Sequence, residues 1–465
     1  MVTYSGLTEA EFTNFGARYN PFKNDRFDIK RYGASTTHNL QLSENSFLTT
    51  NLYFSNFNRD WWRQSSTTTD TQGGAVGVAF RDARLAGRMV NPDTLNSVQG
   101  RLREYTTWGL EPRLKLAHTA FGIVGELQAG VKAHFENQNR KQLNGASPTA
   151  RSGALAEDNL RETTAYSAFL INRFLFGAWS VTPGLRYEHI NSSRTNRLPG
   201  GLSGSDDLGQ WIPSLGATWN PANVLTVFAG VHLGFAPPRT EDIIDGAGTS
   251  TEVEAEESTN WELGARMQPT TRSLMQATLF RNDFKRLIAV GSIAGGGTPL
   301  SQGEALFQGI ELSGRYGFAS GFYFDGSYTW LPEAEQTTPF TQVVNGAVVA
   351  GSTAGNRQPY APEHLLTASA GYALKGFEAQ LEAVYVSEQF ADFANTVAPT
   401  ADGQRGKLAA YTIWNATLNY HLQPAHTTFF IAVKNLANKT YIVDRTRGIQ
   451  VGSPRLVQVG SKYAF

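Results

Sequence analysis

The sequence predicts an all-β chain, read as a transmembrane antiparallel β-barrel. Three observations predict it. Apolar and polar residues alternate with period two in segment after segment, which gives an extended strand one apolar and one polar face. Short turns alternate with long stretches rich in Gly, Thr, Asn and Pro, as in barrels with short turns at one membrane face and long loops at the other. No window holds the ~18 apolar residues of a membrane-spanning helix.

Composition fits this reading. The 465 residues carry 40 Lys+Arg against 40 Asp+Glu, 46 Gly, 12% aromatics and no Cys. Abundant aromatics with zero net charge argue against disorder. The missing Cys excludes disulfide frameworks, thiolate metal sites and Cys nucleophiles. The balanced charge gives no basic face for nucleic acid.

The strands follow in order. About 17 are expected, near 27–43, 47–65, 102–120, 123–142, 160–176, 178–194, 210–220, 223–236, 256–268, 272–290, 305–318, 322–335, 358–374, 377–392, 408–422, 427–442 and 453–465. Phe377, Ala379, Leu381, Ala383 and Tyr385, interleaved with Glu378, Gln380 and Glu382, show the alternation plainly. Short turns are expected near 44–46, 120–122, 176–178, 220–222, 269–271, 319–321, 374–376 and 423–425. The first and the last strand both run toward the short-turn side. Single-chain bacterial barrels have an even strand count, so an odd number of strands is expected to be missing ahead of the first. For a plugged barrel of ~22 strands that number is five.

Several segments resemble one family, the TonB-dependent outer-membrane receptors. They are Gly234-Phe235-Ala236-Pro237-Pro238-Arg239, Trp261-Glu262-Leu263-Gly264, Gln308-Gly309-Ile310-Glu311-Leu312 and Pro359-Tyr360-Ala361-Pro362-Glu363-His364. The ending, Val433-Lys434-Asn435-Leu436-Ala437-Asn438-Lys439-Thr440-Tyr441 then Gly452-Ser453-Pro454-Arg455 and Phe465, is similar to the family's last two strands. Near the start, Tyr4-Ser5-Gly6-Leu7-Thr8, Asn20-Pro21-Phe22, Asp25-Arg26-Phe27 and Arg59-Asp60-Trp61-Trp62-Arg63-Gln64 resemble the ferric-dicitrate type. The resemblance implies a multi-pass barrel in the cell outer membrane, in contact with lipid and lipopolysaccharide. It implies uptake of an iron–citrate or other siderophore chelate, energised by the TonB complex, with the chelate as cargo and no cofactor. The family's signal peptide, TonB box and plug domain have no counterpart here. The chain is therefore expected to be one barrel domain over 1–465, N-terminally truncated, with 1–26 the remnant of an extracellular loop.

Candidate ligand residues follow from parity. On the second strand Leu48, Leu52 and Phe54 face lipid, which turns Asn51, Ser55, Arg59 and Arg63 into the lumen. On the third strand Leu102, Trp108, Leu110 and Leu114 face lipid, so Arg103, Glu111 and Arg113 face inward. On the first, Leu40 and Leu42 face out and Arg31 faces in. An iron–citrate complex is anionic, and the planar guanidinium fork suits its carboxylates. The expected site is Arg31, Arg59, Arg63, Gln64 and Arg103, with Arg113 deeper. The bland alternative pairs these arginines with lumen carboxylates such as Asp60, Glu111 or Glu162, or with the plug.

Other features are read more plainly. Arg81, Arg84 and Arg88 are expected to be a solvated loop cluster rather than a ligand or lipopolysaccharide site. Trp179, Trp219, Phe228, Phe280, Trp330 and Tyr411 are expected in interfacial girdles. Loops 237–255 and 291–304, with Gly246, Gly248 and Gly295 to Gly297, are expected to fold over ligand. No enzyme motif is convincing: the eight His form no His-Glu-x-x-His run. The second function class is a passive porin-like pore or a non-functional receptor fragment. The sequence upstream of Met1 separates the two, since a plug and TonB box belong to the receptor alone.

Overall fold

A computed structural model describes residues 4–64, 73–240, 244, 254–289, 300–301, 303–344 and 347–464. Seventeen strands form one antiparallel sheet. They are β1 Arg26–Ser43, β2 Ser46–Arg63, β3 Val98–Ala120, β4 Ile123–Gly145, β5 Ala154–Phe176 and β6 Trp179–Asn196. Next come β7 Ser203–Ala222, β8 Leu225–Ala236, β9 Glu256–Thr270, β10 Ser273–Phe284, β11 Ala305–Gly317 and β12 Phe322–Gln336. The last are β13 His364–Leu374, β14 Phe377–Val386, β15 Tyr411–Leu422, β16 Thr427–Lys434 and β17 Leu456–Tyr463. Each pairs with its chain neighbours, from β1–β2 through β16–β17. Among the described residues β1 and β17 have one neighbour each, so the sheet is an open meander. No described helix is long and apolar enough to cross a membrane.

The short connections are real hairpin turns. Phe121 and Gly122 have φ 55° and 76°, and Lys375 and Gly376 have φ 52° and 85°. Positive φ at both central residues is the type I′ turn, whose twist matches that of the flanking strands. The expected turn at 220–222 falls instead between Ala222 and Leu225, which pair across it.

The strands also stop earlier than their hydrophobic pattern suggests. β16 ends at Lys434 rather than near 442, because Asn435 takes a left-handed φ of 49°. The buried Asn435 amide donates to the Lys439 and Ser453 carbonyls at 2.8 and 2.9 Å, closing the neck of a loop over 435–455. β13 begins at His364 rather than 358, because Tyr360 has φ 56° and Pro359 and Pro362 donate no ladder hydrogen bond.

The burial pattern is inverted relative to a soluble fold. Along the strands the large apolar side chains are exposed: Leu52, Phe54, Trp108, Leu110, Leu215, Leu263 and Leu312 among them. Trp108 stacks on Phe135 at 4.2 Å, and Trp179 on Trp219 at 5.3 Å, both on this outer face. Buried strand residues are largely polar, including Asn159, Arg161, Ser167, Ser180 and Ser369. A soluble fold rarely leaves an apolar band of this extent exposed. Trp330 also lies outward, but Phe228, Phe280 and Tyr411 share the inner face, contrary to the girdle expectation. Phe228 lies across Gly264 and Phe280 across Gly309, where a Cβ would clash at 2.4 and 3.0 Å. Each ring covers a glycine on the neighbouring strand, a packing reason that outweighs interfacial placement.

Buried apolar side chains gather at the long-loop end instead. Leu7, Phe22, Leu95, Val98, Leu408 and Ile449 form this core. It holds helix α1 (Glu9–Phe15) ahead of β1, helix α2 (Gly74–Leu85) between β2 and β3, and the loops before β15 and β17. The Thr8 side chain and Glu11 form a capping box at the start of α1. Leu7 bridges Ile449, with N–H to carbonyl bonds of 3.0 and 2.7 Å in the two directions. Residues 4–25 thus form a folded element that ties the approach to β1 to the loop entering β17.

Candidate functional site

Strand register decides what shares the inner face. Directly opposed residues in adjacent strands point the same way. One row runs Ile29, Arg59, Arg103, Arg140 and Asn159 across β1 to β5. The row toward the turns runs Arg31, Phe57, Tyr105, Gln138, Arg161 and Arg194. The row toward the loops runs Phe27, Trp61, Arg101, Gln142 and Glu157. Six strands therefore deliver a basic surface to the upper inner wall.

Arg59 and Arg103 are its centre. They oppose each other across β2 and β3, and Arg103 opposes Arg140 in turn. Among the described residues, neither Arg59 nor Arg103 has a carboxylate within ion-pairing distance. The Arg59 guanidinium lies 5.7 Å from the Trp61 ring centroid. Adjacent cations removed from bulk water repel one another and favour a bound anion.

The other expected residues are placed differently. Arg31 is exposed on β1 and its Nε lies 3.4 Å from the Ser55 hydroxyl, one row below Arg59. Arg113 lies ten positions toward the turns from Arg103, or about 33 Å along the strand. It pairs with Glu111 at 2.7 Å. Arg63 is buried, with its guanidinium 3.4 Å from the Tyr4 ring centroid and 4.9 Å from that of Trp61. Gln64 is buried too; its amide donates to the Ser97 carbonyl at 2.7 Å and its N–H to Asp25 at 3.1 Å. Arg63 and Gln64 thus hold residues 4–25 onto the rim, and the structure brings Arg59 and Arg103 together without them.

Three further expectations need correction. Asp60 and Glu162 lie on the outer face, Asp60 opposite Leu102 and Glu162 opposite Asn137, so neither neutralises an inner arginine. Their own parity was the signal that excludes them. The carboxylate that does reach the cluster is Glu157, 2.9 Å from Arg140 and 3.5 Å from Arg101. Arg84 is not solvated: its guanidinium makes two 2.8 Å contacts with the fully buried Glu11 and donates to the Gly6 carbonyl at 2.7 Å. Arg101, Arg140, Arg161 and Arg194 were missed, although β3 parity points Arg101 inward beside Arg103. Loop residues Gly246, Gly248, Gly295, Gly296 and Gly297 lie outside the described residues.

Asp25, just ahead of β1, gives the rim a titratable group. Burial pushes its carboxyl up to about 7, against the opposing pull of the Gln64 and Tyr4 N–H groups, Arg63 and Arg151. A carboxyl raised in the folded state contributes stability that is fully present below the unfolded value near 3.8 and is lost as pH rises through about 7. Asp25→Asn keeps an acceptor for Gln64 and removes the ionisation. Protection of residues 4–25 from hydrogen exchange is expected to fall between about pH 4 and pH 7 in the wild type and to stay flatter in this variant. Equal slopes in the two proteins would refute the assignment.

Comparison with known proteins completes the geometry. Residues 2–436 match a family model described as TonB dependent receptor-like, beta-barrel. The pesticin receptor of Yersinia enterocolitica is 24% identical over 352 residues, covering 70% of this chain and 46% of the receptor. The chain thus spans about half the length of the curated relatives it matches. Among solved structures, the ferric citrate transporter FecA in its unliganded form aligns with a TM-score of 0.78 at 22% identity, covering 98% of this chain and 65% of FecA. The closed form of the ferric-catecholate import receptor Fiu from E. coli K12 aligns with a TM-score of 0.72 at 16% identity, covering 98% and 69%. The ferric yersiniabactin uptake receptor FyuA from Yersinia pestis aligns with a TM-score of 0.63 at 16% identity, covering 94% and 60%.

Proposed function

Because this chain belongs to the TonB dependent receptor-like β-barrel family, we propose that it forms barrel wall of an outer-membrane receptor for an anionic ferric chelate. Iron–citrate is the favoured ligand. The observation that carries this reading is the Arg59–Arg103 pair, opposed in register, facing the lumen and lacking a carboxylate partner among the described residues. Two such forks match the carboxylates of a citrate complex, whereas a neutral chelate offers them less. The ferric-catecholate and ferric yersiniabactin receptors among the similar structures support ferric chelates as the broader class. Fold similarity to the ferric citrate transporter supports the narrower one.

In this reading the outer apolar face meets outer-membrane lipid, and the loop end meets lipopolysaccharide. In the receptor, energy for uptake comes from the TonB complex. The chelate is cargo and no resident cofactor takes part. The test is direct binding in detergent, followed by tryptophan fluorescence, since Trp61 lies beside Arg59 and Arg63. Ferric dicitrate is expected to quench the emission saturably, and a neutral ferric hydroxamate to do so only at far higher concentration. Equal affinities would remove the charge argument.

A further inference from the structure

Glu157 is placed by a device that the regular strand pattern does not explain. In an unbroken strand, residues two apart share a face. Here Leu155 pairs with Leu143 and is exposed on the outer side, while Glu157 pairs with Gln142 and faces the lumen. Ala156 is the extra residue of a bulge, and bulges beside functional sites re-aim side chains. The turned carboxylate then meets two guanidiniums and an amide donor. It lies 2.9 Å from Arg140 Nε and 3.5 Å from Arg101 Nη1, and it accepts from Asn159 Nδ2 at 2.9 Å. Arg140 sits next to Arg103 in register and Arg101 next to Trp61, so this inward carboxylate engages the flank of the basic pair.

We propose that Glu157 is an internal competitor for the ligand, a protein carboxylate that holds Arg101 and Arg140 and thereby sets selectivity by ligand charge. This rests on the reading of the site as an anion-binding lumen. An anion with few carboxylates has to displace or face Glu157 for little return. A chelate that presents several fixed carboxylates engages Arg59 and Arg103 and still draws on the flanking guanidiniums. The barrel so discriminates an iron-loaded chelate from the abundant free acid. Glu157 is a positioning and specificity residue, acting through Arg101 and Arg140.

The test compares wild type and Glu157→Gln, each as the full chain in detergent, titrated calorimetrically with ferric dicitrate and with iron-free citrate. Glutamine keeps an acceptor for Asn159 and removes the charge. Iron-free citrate is expected to bind the variant about tenfold more tightly than the wild type, with a smaller gain for ferric dicitrate, so that selectivity narrows. Unchanged citrate affinity in a folded variant overturns the proposal, as does an equal gain for both ligands. If Glu157→Gln does not fold, Glu157→Asp withdraws the carboxylate by one methylene; a gain of about threefold for citrate supports the role and none refutes it. A wild type that fails to bind ferric dicitrate, beside a variant that gains citrate affinity, overturns the chelate reading and leaves the Glu157 role standing. Tight ferric dicitrate binding with no gain for citrate does the reverse.

Discussion

Replacing Arg59 and Arg103 together by alanine is expected to weaken ferric dicitrate binding by about 10²- to 10⁴-fold. Each hydrogen bond between a guanidinium and a carboxylate contributes about 1.5–3 kcal/mol, and the two side chains occupy opposed positions without a protein carboxylate to absorb them. Lysine at the same positions keeps the charge but loses the fork, so Arg59→Lys with Arg103→Lys is expected to recover only part of the affinity. The double alanine variant should fold as the wild type does, since these side chains repel rather than support one another. Arg113→Ala is the internal control, because that residue is paired to Glu111 about 33 Å away along the strand. Fluorescence titration reads the four proteins side by side. Indistinguishable dissociation constants for the double alanine variant and the wild type would end the assignment of this site. Arg63→Ala makes a poor test of ligand contact, because Arg63 is covered by Tyr4 and its loss loosens the rim.

The second large effect belongs to the loop-end core. Arg84→Ala leaves the Glu11 carboxylate buried with no cation against it. Removing one partner of a buried pair costs about 3–5 kcal/mol, because the remaining charge is stranded in low dielectric. The loss spreads beyond the pair. Glu11 also accepts from the Thr8 N–H at 3.0 Å, and the Thr8 hydroxyl donates to the Arg84 carbonyl at 3.0 Å. Hydrogen exchange in residues 4–25 and 73–97 is expected to speed up by about 10²- to 10³-fold, while strands β4 to β6 keep their protection. Replacing both partners, Glu11→Met with Arg84→Met, removes the stranded charge and should recover most of the loss. Unchanged exchange after Arg84→Ala would mean that the helices are held by their apolar contacts alone.

These two effects divide along the line between local and long-range information. The seventeen strands were legible because period-two alternation is written residue by residue, and a single exposed leucine fixes the face of its strand up to the next bulge. Parity alone turned Arg59, Arg103 and Arg31 inward, and the structure places all three on that face. Turn positions were legible to within a few residues where glycine marks them. Strand ends were less so, because Asn435 and Tyr360 end their strands through left-handed backbone and loop hydrogen bonds rather than through a change in hydropathy.

What parity could not supply was register. Which arginines stand beside one another depends on how far each strand is shifted against the next, a quantity set by turns and bulges summed across the sheet. That is why Arg101, Arg140, Arg161 and Arg194 escaped notice, and why Glu157 emerged only with the bulge at Ala156. Tertiary structure alone decided the fates of Arg84, Arg63 and Gln64. Their partners are Glu11, 73 positions away, Tyr4, 59 positions away, and Ser97, 33 positions away. A guanidinium on a loop reads as solvated until the chain folds back and buries a carboxylate against it. The sequence by itself determined the faces of this barrel wall. The fold decided which charges meet on the inner face, because contacts between strands are set by distances along the chain that no local pattern records.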